Sequence, residues 1–168
     1  MQVACIAQAD KIAGWKVFPL GDPALMIKLP GEVTPMATPV PSDLINRLER
    51  FDTYRFYHAE GKVVAIFKFV QYNAPIRETA DTLMENEVKA VMKSIDAEQV
   101  VHADKDIKIK NIPARKSTGS FLVNQQKWNY QDILVRKDSS MWQVWIAGED
   151  SDPAFAKTVN QVVKSIKF

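Results

Sequence analysis

The sequence predicts an α+β domain in which an antiparallel sheet of about six or seven strands is sandwiched between a long middle helix and a C-terminal helix. Three observations predict it. The stretch Lys62 to Val70 is apolar on both of its faces, with Val63, Ala65, Phe67 and Phe69 on one and Val64, Ile66 and Val70 on the other, so a strand here has to be covered from both sides. Two segments carry the apolar stripe of an amphipathic helix: Ala80, Leu83, Met84, Val88, Val91, Met92 and Ile95, then Phe155, Val159, Val162, Val163 and Ile166. Between them, short extended runs alternate with turn residues.

Taken in order, Trp15–Phe18 and Ala24–Leu29 read as an opening hairpin, because two prolines and a glycine in the intervening Pro19–Pro23 enforce a turn. Residues 30–41 hold four prolines, a glycine and two threonines without any period, the signature of an irregular surface arm. The aromatics Phe51, Tyr54, Phe56 and Tyr57 draw the stretch from about Arg50 to His58 toward a strand. Glu60-Gly61 turns into the doubly apolar strand, which belongs in the centre of the sheet. Pro75 opens the long helix, with Glu78 and Asp81 suited to its positive end. Asp106–Lys110 then alternates as a half-buried strand does, and strands near Arg115–Val123, Trp128–Arg136 and Met141–Ala147 are joined by turns at residues 124–126 and 137–139. Ser151 or Asp152 caps the last helix, and Pro153 fits its first position.

A chain of 168 residues is long enough to bury roughly 70% of its unfolded surface. Residues 14–168 form one domain in this reading, preceded by an N-terminal segment, 1–13. The charge is only +2, from 22 basic and 20 acidic residues, which lacks the concentrated basic footprint of a nucleic-acid binder. The single cysteine, Cys5, has no second thiol to pair with and no neighbouring metal ligands. No apolar run is long enough to span a bilayer. The short apolar stretch Val3–Ala7, closing in Ala7-Gln8-Ala9, reads either as the remnant of an export signal peptide or as an ordinary segment packed on the domain. The first places the protein in the periplasm or outside the cell, the second leaves it cytoplasmic.

Several segments carry a resemblance. Met26-Ile27-Lys28-Leu29-Pro30-Gly31, Ile107–Arg115, and Met141–Gly148 followed by the helix to Phe168 together resemble the PsbP-like family, whose fold is shared with the Ran-releasing nuclear import factor and with chaperones of type VI secretion effectors. The resemblance covers most of the chain after Gly14. It implies a binding or assembly role, commonly in exported or membrane-associated proteins, and it carries no shared catalytic residue. The chain departs from the family at Ile112-Pro113, where relatives place a glycine before the proline, and disturbed strand pairing is the expectation there.

The search for chemistry points the same way. His58 and His102 are the two histidines, and neither lies in a nucleophile–base motif. Both read as surface residues. Glu149, Asp150 and Asp152 form an acidic cluster without the spacing of a calcium loop, and helix capping accounts for it more simply. No phosphate loop, zinc spacing or nucleophile elbow is present. The expectation is a non-enzymatic module with no catalytic residue, no metal and no cofactor.

Two features suit binding. Trp142, Val144 and Ile146 share one side of their strand and Met141 and Trp145 the other, with Trp128 and Tyr130 on the neighbouring strand. Tryptophan and tyrosine are common at contact hot spots, and these rings serve equally as core. Lys105, Lys108, Lys110, Arg115 and Lys116 read as the outward face of one hairpin, suited to an acidic partner or lipid headgroups, or simply to a solvated strand. The candidate binding residues are therefore Trp128, Tyr130, Met141, Trp145, Lys108 and Lys110. A protein partner met through a sheet face or groove is the leading expectation, with peripheral membrane association left open. A carrier of a small molecule or lipid in an enclosed apolar cavity is the alternative.

Overall fold

The computed structural model describes residues 14–168. The export-signal reading and Cys5 lie outside the described residues. A first hairpin, β1 (Lys16–Leu20) and β2 (Leu25–Leu29), forms a two-stranded sheet of its own. The main sheet has seven strands: β3 (Val33–Pro35), β4 (Leu48–His58), β5 (Val63–Tyr72), β6 (Glu98–Ile109), β7 (Ile112–Val123), β8 (Gln126–Lys137) and β9 (Ser140–Glu149). Their order across the sheet is β3-β4-β5-β9-β8-β7-β6, and every neighbouring pair is antiparallel.

Two helices cover the sheet. The helix α1 (Ala80–Ser94) follows β5 and lies over β7 and β8; α2 (Pro153–Ser165) follows β9 and lies over β9, β8 and β5 on the opposite face. The opening hairpin continues the α2 layer, where β2 packs against α2 and Met26 is bridged through its backbone to Lys167. Beneath this layer the core contains Leu25, Ile27, Phe67, Phe69, Trp142, Val144, Val159 and Val162; the α1 side holds Leu83, Met84, Val88, Phe121, Tyr130, Leu134, Met141 and Trp145. The period of two explains the split, since Trp142 and Val144 belong to one face and Met141 and Trp145 to the other.

The strand sandwiched most completely is β9, every residue of which is buried. It is the fourth of seven strands, with layers on both sides. The Lys62–Val70 run becomes β5, an interior strand one place further out. Val63, Ala65, Phe67 and Phe69 are at most 2% exposed, but Val64, Ile66 and Lys68 on its other face are only half-buried. The reason is the course of α1, which lies over β7 and β8 and leaves that end of the face partly open.

Several boundaries differ from the sequence reading. The long helix begins at Ala80, not Pro75, because the Thr79 side chain caps it by accepting from the Thr82 N–H at 3.2 Å. The preceding connection is held to another loop by the Ile76 N–H donating to the Asp138 carbonyl. The proline-rich arm contains a short strand, β3, which pairs at the rim with β4; Pro35 is tolerated there because an edge strand has one unpaired side. β6 begins at Glu98, eight residues before Asp106. As the last strand of the sheet it is exposed along most of its length, so no apolar alternation announced its first half. Pairing runs undisturbed through Ile112-Pro113, with Ile109 opposite Ile112 and Lys108 opposite Pro113. In a hairpin closed by two residues the closing pair exchanges the hydrogen bonds and the next pair does not. The missing N–H of Pro113 therefore costs the ladder with β6 nothing.

Candidate functional site

The structure brings the predicted aromatics together, but as core. Trp145 and Tyr130 lie with ring centroids 6.3 Å apart, and Phe121, which sequence reasoning passed over, touches Trp128, Tyr130 and Trp145 at 6.0–6.3 Å. Tyr130, Met141 and Trp145 are 2%, 0% and 1% exposed, so as folded they present no surface to a partner. Trp128 is half-buried at the end of the cluster, stacked on Phe121. Alternation along β7 and β8 puts Phe121 and Trp128 in a register pair, a relationship that the sequence allowed but did not fix.

The basic hairpin divides between the two faces. Arg115 lies on the α1 side and is paired, at 2.9 Å with Asp106 and 3.2 Å with Asp81 of α1. Lys105 and Lys116 are direct partners across β6 and β7, and Lys116 is also opposite Ile133 of the α2-side core. The correction has a plain cause, since residues of odd and even separation on a strand point to opposite faces. Lys108 and Lys110 lie at the end of the hairpin and are exposed.

These lysines border an open cleft of about 300 Å³ between the β6–β7 hairpin and the end of α2. Its lining is Lys105, Lys108, Lys110, Lys116 and Lys167 with Ile107, Ile109, Ile133, Val163 and Ile166, and no carboxylate. None of the five lysines has an ion-pair partner among the described residues. Burial, and then the neighbouring Lys105 charge, hold the Lys116 ammonium below the ordinary lysine value. The cleft is a cationic rim over an aliphatic floor. A second cleft, of about 280 Å³ and lined by Arg47, Tyr72, Arg77 and Glu78 among others, differs in holding a carboxylate, since Glu78 lies 3.6 Å from Arg47. Lys167 was missed by sequence reasoning and Ile166 was read only as part of the last helix's apolar stripe; the signal for Lys167 was its place two residues beyond the end of that helix.

The acidic cluster, the histidines and Tyr130 have local partners. Within the acidic cluster, Glu149 pairs with Lys62 at 2.5 Å, Asp150 with Lys127 at 3.5 Å, and Asp152 caps α2 by accepting from the Ala154 N–H at 2.8 Å. Among the described residues no three His, Cys, Asp or Glu side chains converge as metal ligands. His58 stacks on Phe56. His102 Nδ1 lies 3.1 Å from Asp104, and Ser117 is the register partner of Asp104 across β6 and β7. Burial raises the Asp104 carboxyl, but the bonds from Ser117 and His102 outweigh it and leave the group below its usual value. The order His–Asp–Ser is the wrong one for a nucleophile, which needs the imidazole next to the hydroxyl. Tyr130, whose hydroxyl is 3.1 Å from Ser117, is pushed up to about 12, mainly by burial.

Fold and site together define an α+β sandwich with a basic, aliphatic-floored cleft at one corner. No family model matches the chain, and no curated protein matches it. Among solved structures it is similar to LpqN, involved in cell envelope biogenesis of Mycobacterium tuberculosis, with 10% identity and a TM-score of 0.45 over 92% of this chain and 78% of that one. It is also similar to PA94 from Pseudomonas aeruginosa, a protein of unknown function, with 8% identity and a TM-score of 0.46 over 91% of this chain and 96% of that one. Among the described residues no helix is long and apolar enough to cross a membrane.

Proposed function

We propose that this chain is a PsbP-like, non-enzymatic binding module that contacts a protein partner through the lysine-rimmed cleft. One observation carries the reading: five lysines that have no ion-pair partner among the described residues surround a floor of isoleucine and valine. Unpaired cations beside apolar surface are what an acidic partner complements, and a charged rim speeds and orients such an encounter. The PsbP-like reading is supported by an antiparallel sheet between two helices and by the hairpin of β1 and β2. Residence in the periplasm or outside the cell belongs to the same proposal.

Burial of Tyr130, Met141 and Trp145 favours the cleft over the aromatic face as the contact. The rings of that face are packed among themselves and beneath α1. The cavity-carrier alternative finds little support on the α2 side, where Phe69 meets Trp142 at 5.3 Å and Trp142 meets Phe168 at 5.2 Å. Zero-length coupling of amines to carboxylates in an extract of the source organism tests the proposal. Crosslinks from Lys105, Lys108, Lys110 or Lys167 to acidic residues of one recurrent protein are expected. Crosslinks scattered evenly over the exposed lysines of the chain would sink it.

A further inference from the structure

The cleft and the outer edge of β6 form one surface. β6 ends the sheet, so one of its backbone edges has no strand beside it among the described residues. The turn at Lys110-Asn111 closes on the pair Ile109 and Ile112, and alternate pairs after it share the ladder bonds. Ala103, Lys105 and Ile107 therefore turn their backbone groups toward β7, while His102, Asp104, Asp106 and Lys108 turn theirs outward. On the α2 side of this strand the period of two sets Lys105, Ile107 and Ile109 in a row. Lys116 lies directly across from Lys105, a like-charged pair that repels and that no described carboxylate neutralises.

We propose that the β6 edge receives an extended acidic segment of the protein partner as an added strand, with a carboxylate on the Lys105–Lys116 pair and apolar side chains on Ile107 and Ile109. This rests on the reading that the cleft contacts a protein. Each feature selects part of the occupant. The lysines select an acid, the isoleucines select apolar residues at alternate positions, and the outward N–H and C=O groups select an extended backbone over a helix. An anionic membrane surface would satisfy the lysines and leave that backbone unpaired. The register shift between Glu98 and Val101 breaks the other half of the edge, as bulges do where sheets avoid indiscriminate pairing, and confines addition to His102–Lys108.

The test uses the isotope-labelled full chain and a short blocked peptide in which threonine alternates with glutamate, valine, valine and glutamate. Amide exchange is followed by NMR. The peptide should slow exchange at Asp104, Asp106 and Lys108 and leave Lys105 and Ile107, already bonded to β7, unchanged. Replacing both glutamates by glutamine, or the protein by K105E/K116E, should weaken binding about tenfold or more, the equivalent of one lost charged contact. K105Q/K116Q provides the same comparison should charge reversal disturb the fold. Unslowed exchange at the outward amides, equal binding of the glutamine peptide, or perturbation by phosphatidylglycerol vesicles and not by the peptide would each overturn the inference. If the lysines crosslink to a protein while the edge amides stay fast, the strand-addition idea fails and the binding reading survives; absent lysine crosslinks remove the binding reading itself.

Discussion

Gln143 Nε2 donates to Asp132 Oδ2 at 2.8 Å across β8 and β9, and both side chains are fully buried. Asp132 Oδ1 and Gln143 Oε1 have no hydrogen-bond partner among the described residues. Both orphaned atoms are acceptors, one on each member of the pair, so a proton on the carboxyl supplies the donor that the pair lacks. Burial pushes the Asp132 carboxyl up to about 8, against the lowering influence of the Gln143 bond. Burial and the two orphaned acceptors both favour the protonated, neutral form of this acid.

That arrangement sets a pH dependence. An unfolded aspartate loses its proton near about 3.9, so between there and about 8 the folded chain binds more protons than the unfolded one. Stability from this group falls as pH rises through that window and levels off above it. Asp132→Asn keeps the shape and supplies an N–H in place of the proton. Denaturant titrations should find the variant more stable than the parent at pH 8, by several kcal/mol at about 1.4 kcal/mol per unit of that window, with the difference vanishing near pH 4. A variant less stable at pH 8, with the slope intact, contradicts the neutral-acid account.

Two glycines are fixed by close approach. At Gly21, φ is +77° and a Cβ would sit 2.4 Å from Phe69 Cδ2 and 2.5 Å from Trp142 Nε1; at Gly119 it would sit 2.0 Å from the Val101 carbonyl oxygen. Gly21→Ala combines left-handed backbone strain with overpacking of two buried rings and should cost about 2–4 kcal/mol in denaturant unfolding. Gly119→Ala should push β6 off β7, read as accelerated amide exchange of residues 98–105. Wild-type stability in both variants would mean that these approaches are looser than described.

The tryptophans separate core from rim. Trp145→Ala empties a site that is 1% exposed and should cost about 3–5 kcal/mol, whereas Trp128→Ala removes a half-buried ring stacked on Phe121 and should cost about 1 kcal/mol. Thermal or chemical melts of the two variants make the comparison. Equal losses would place Trp128 in the core as well.

Helix capping gives a smaller, independent effect. Asp152→Ala removes the acceptor for the Ala154 N–H and should lower stability by about 1 kcal/mol. Added calcium should change the melting temperature of neither protein, because the three carboxylates of that segment point to three different partners. Calcium-dependent stabilisation of the parent chain would show otherwise.

Much of this fold was legible where burial imposes a period. The stripes of α1 and α2, the sidedness of Met141 through Ile146 and the Asp152-Pro153 start of α2 all follow from local rules that the tertiary structure obeys. What stayed hidden depends on neighbours far along the chain. The first half of β6 carries no apolar alternation because neither of its faces is covered, and β3 is three residues whose pairing comes from β4. The candidate site was half legible. Lys108 and Lys110 were chosen and do border the cleft, but Lys167 joins them only because α2 folds back over the sheet. Tyr130, Met141 and Trp145 were chosen by residue type and by the side of the strand they share, and neither tells a hot spot from a core.

Whether the lysine-rimmed cleft is where this protein meets its partner is measured directly by native mass spectrometry of the chain purified from its source, beside K105E/K116E purified in the same way. The wild type should carry a second polypeptide that the charge-reversed variant loses while keeping its own folded charge-state distribution. Retention of the same polypeptide by both would contradict contact at the cleft.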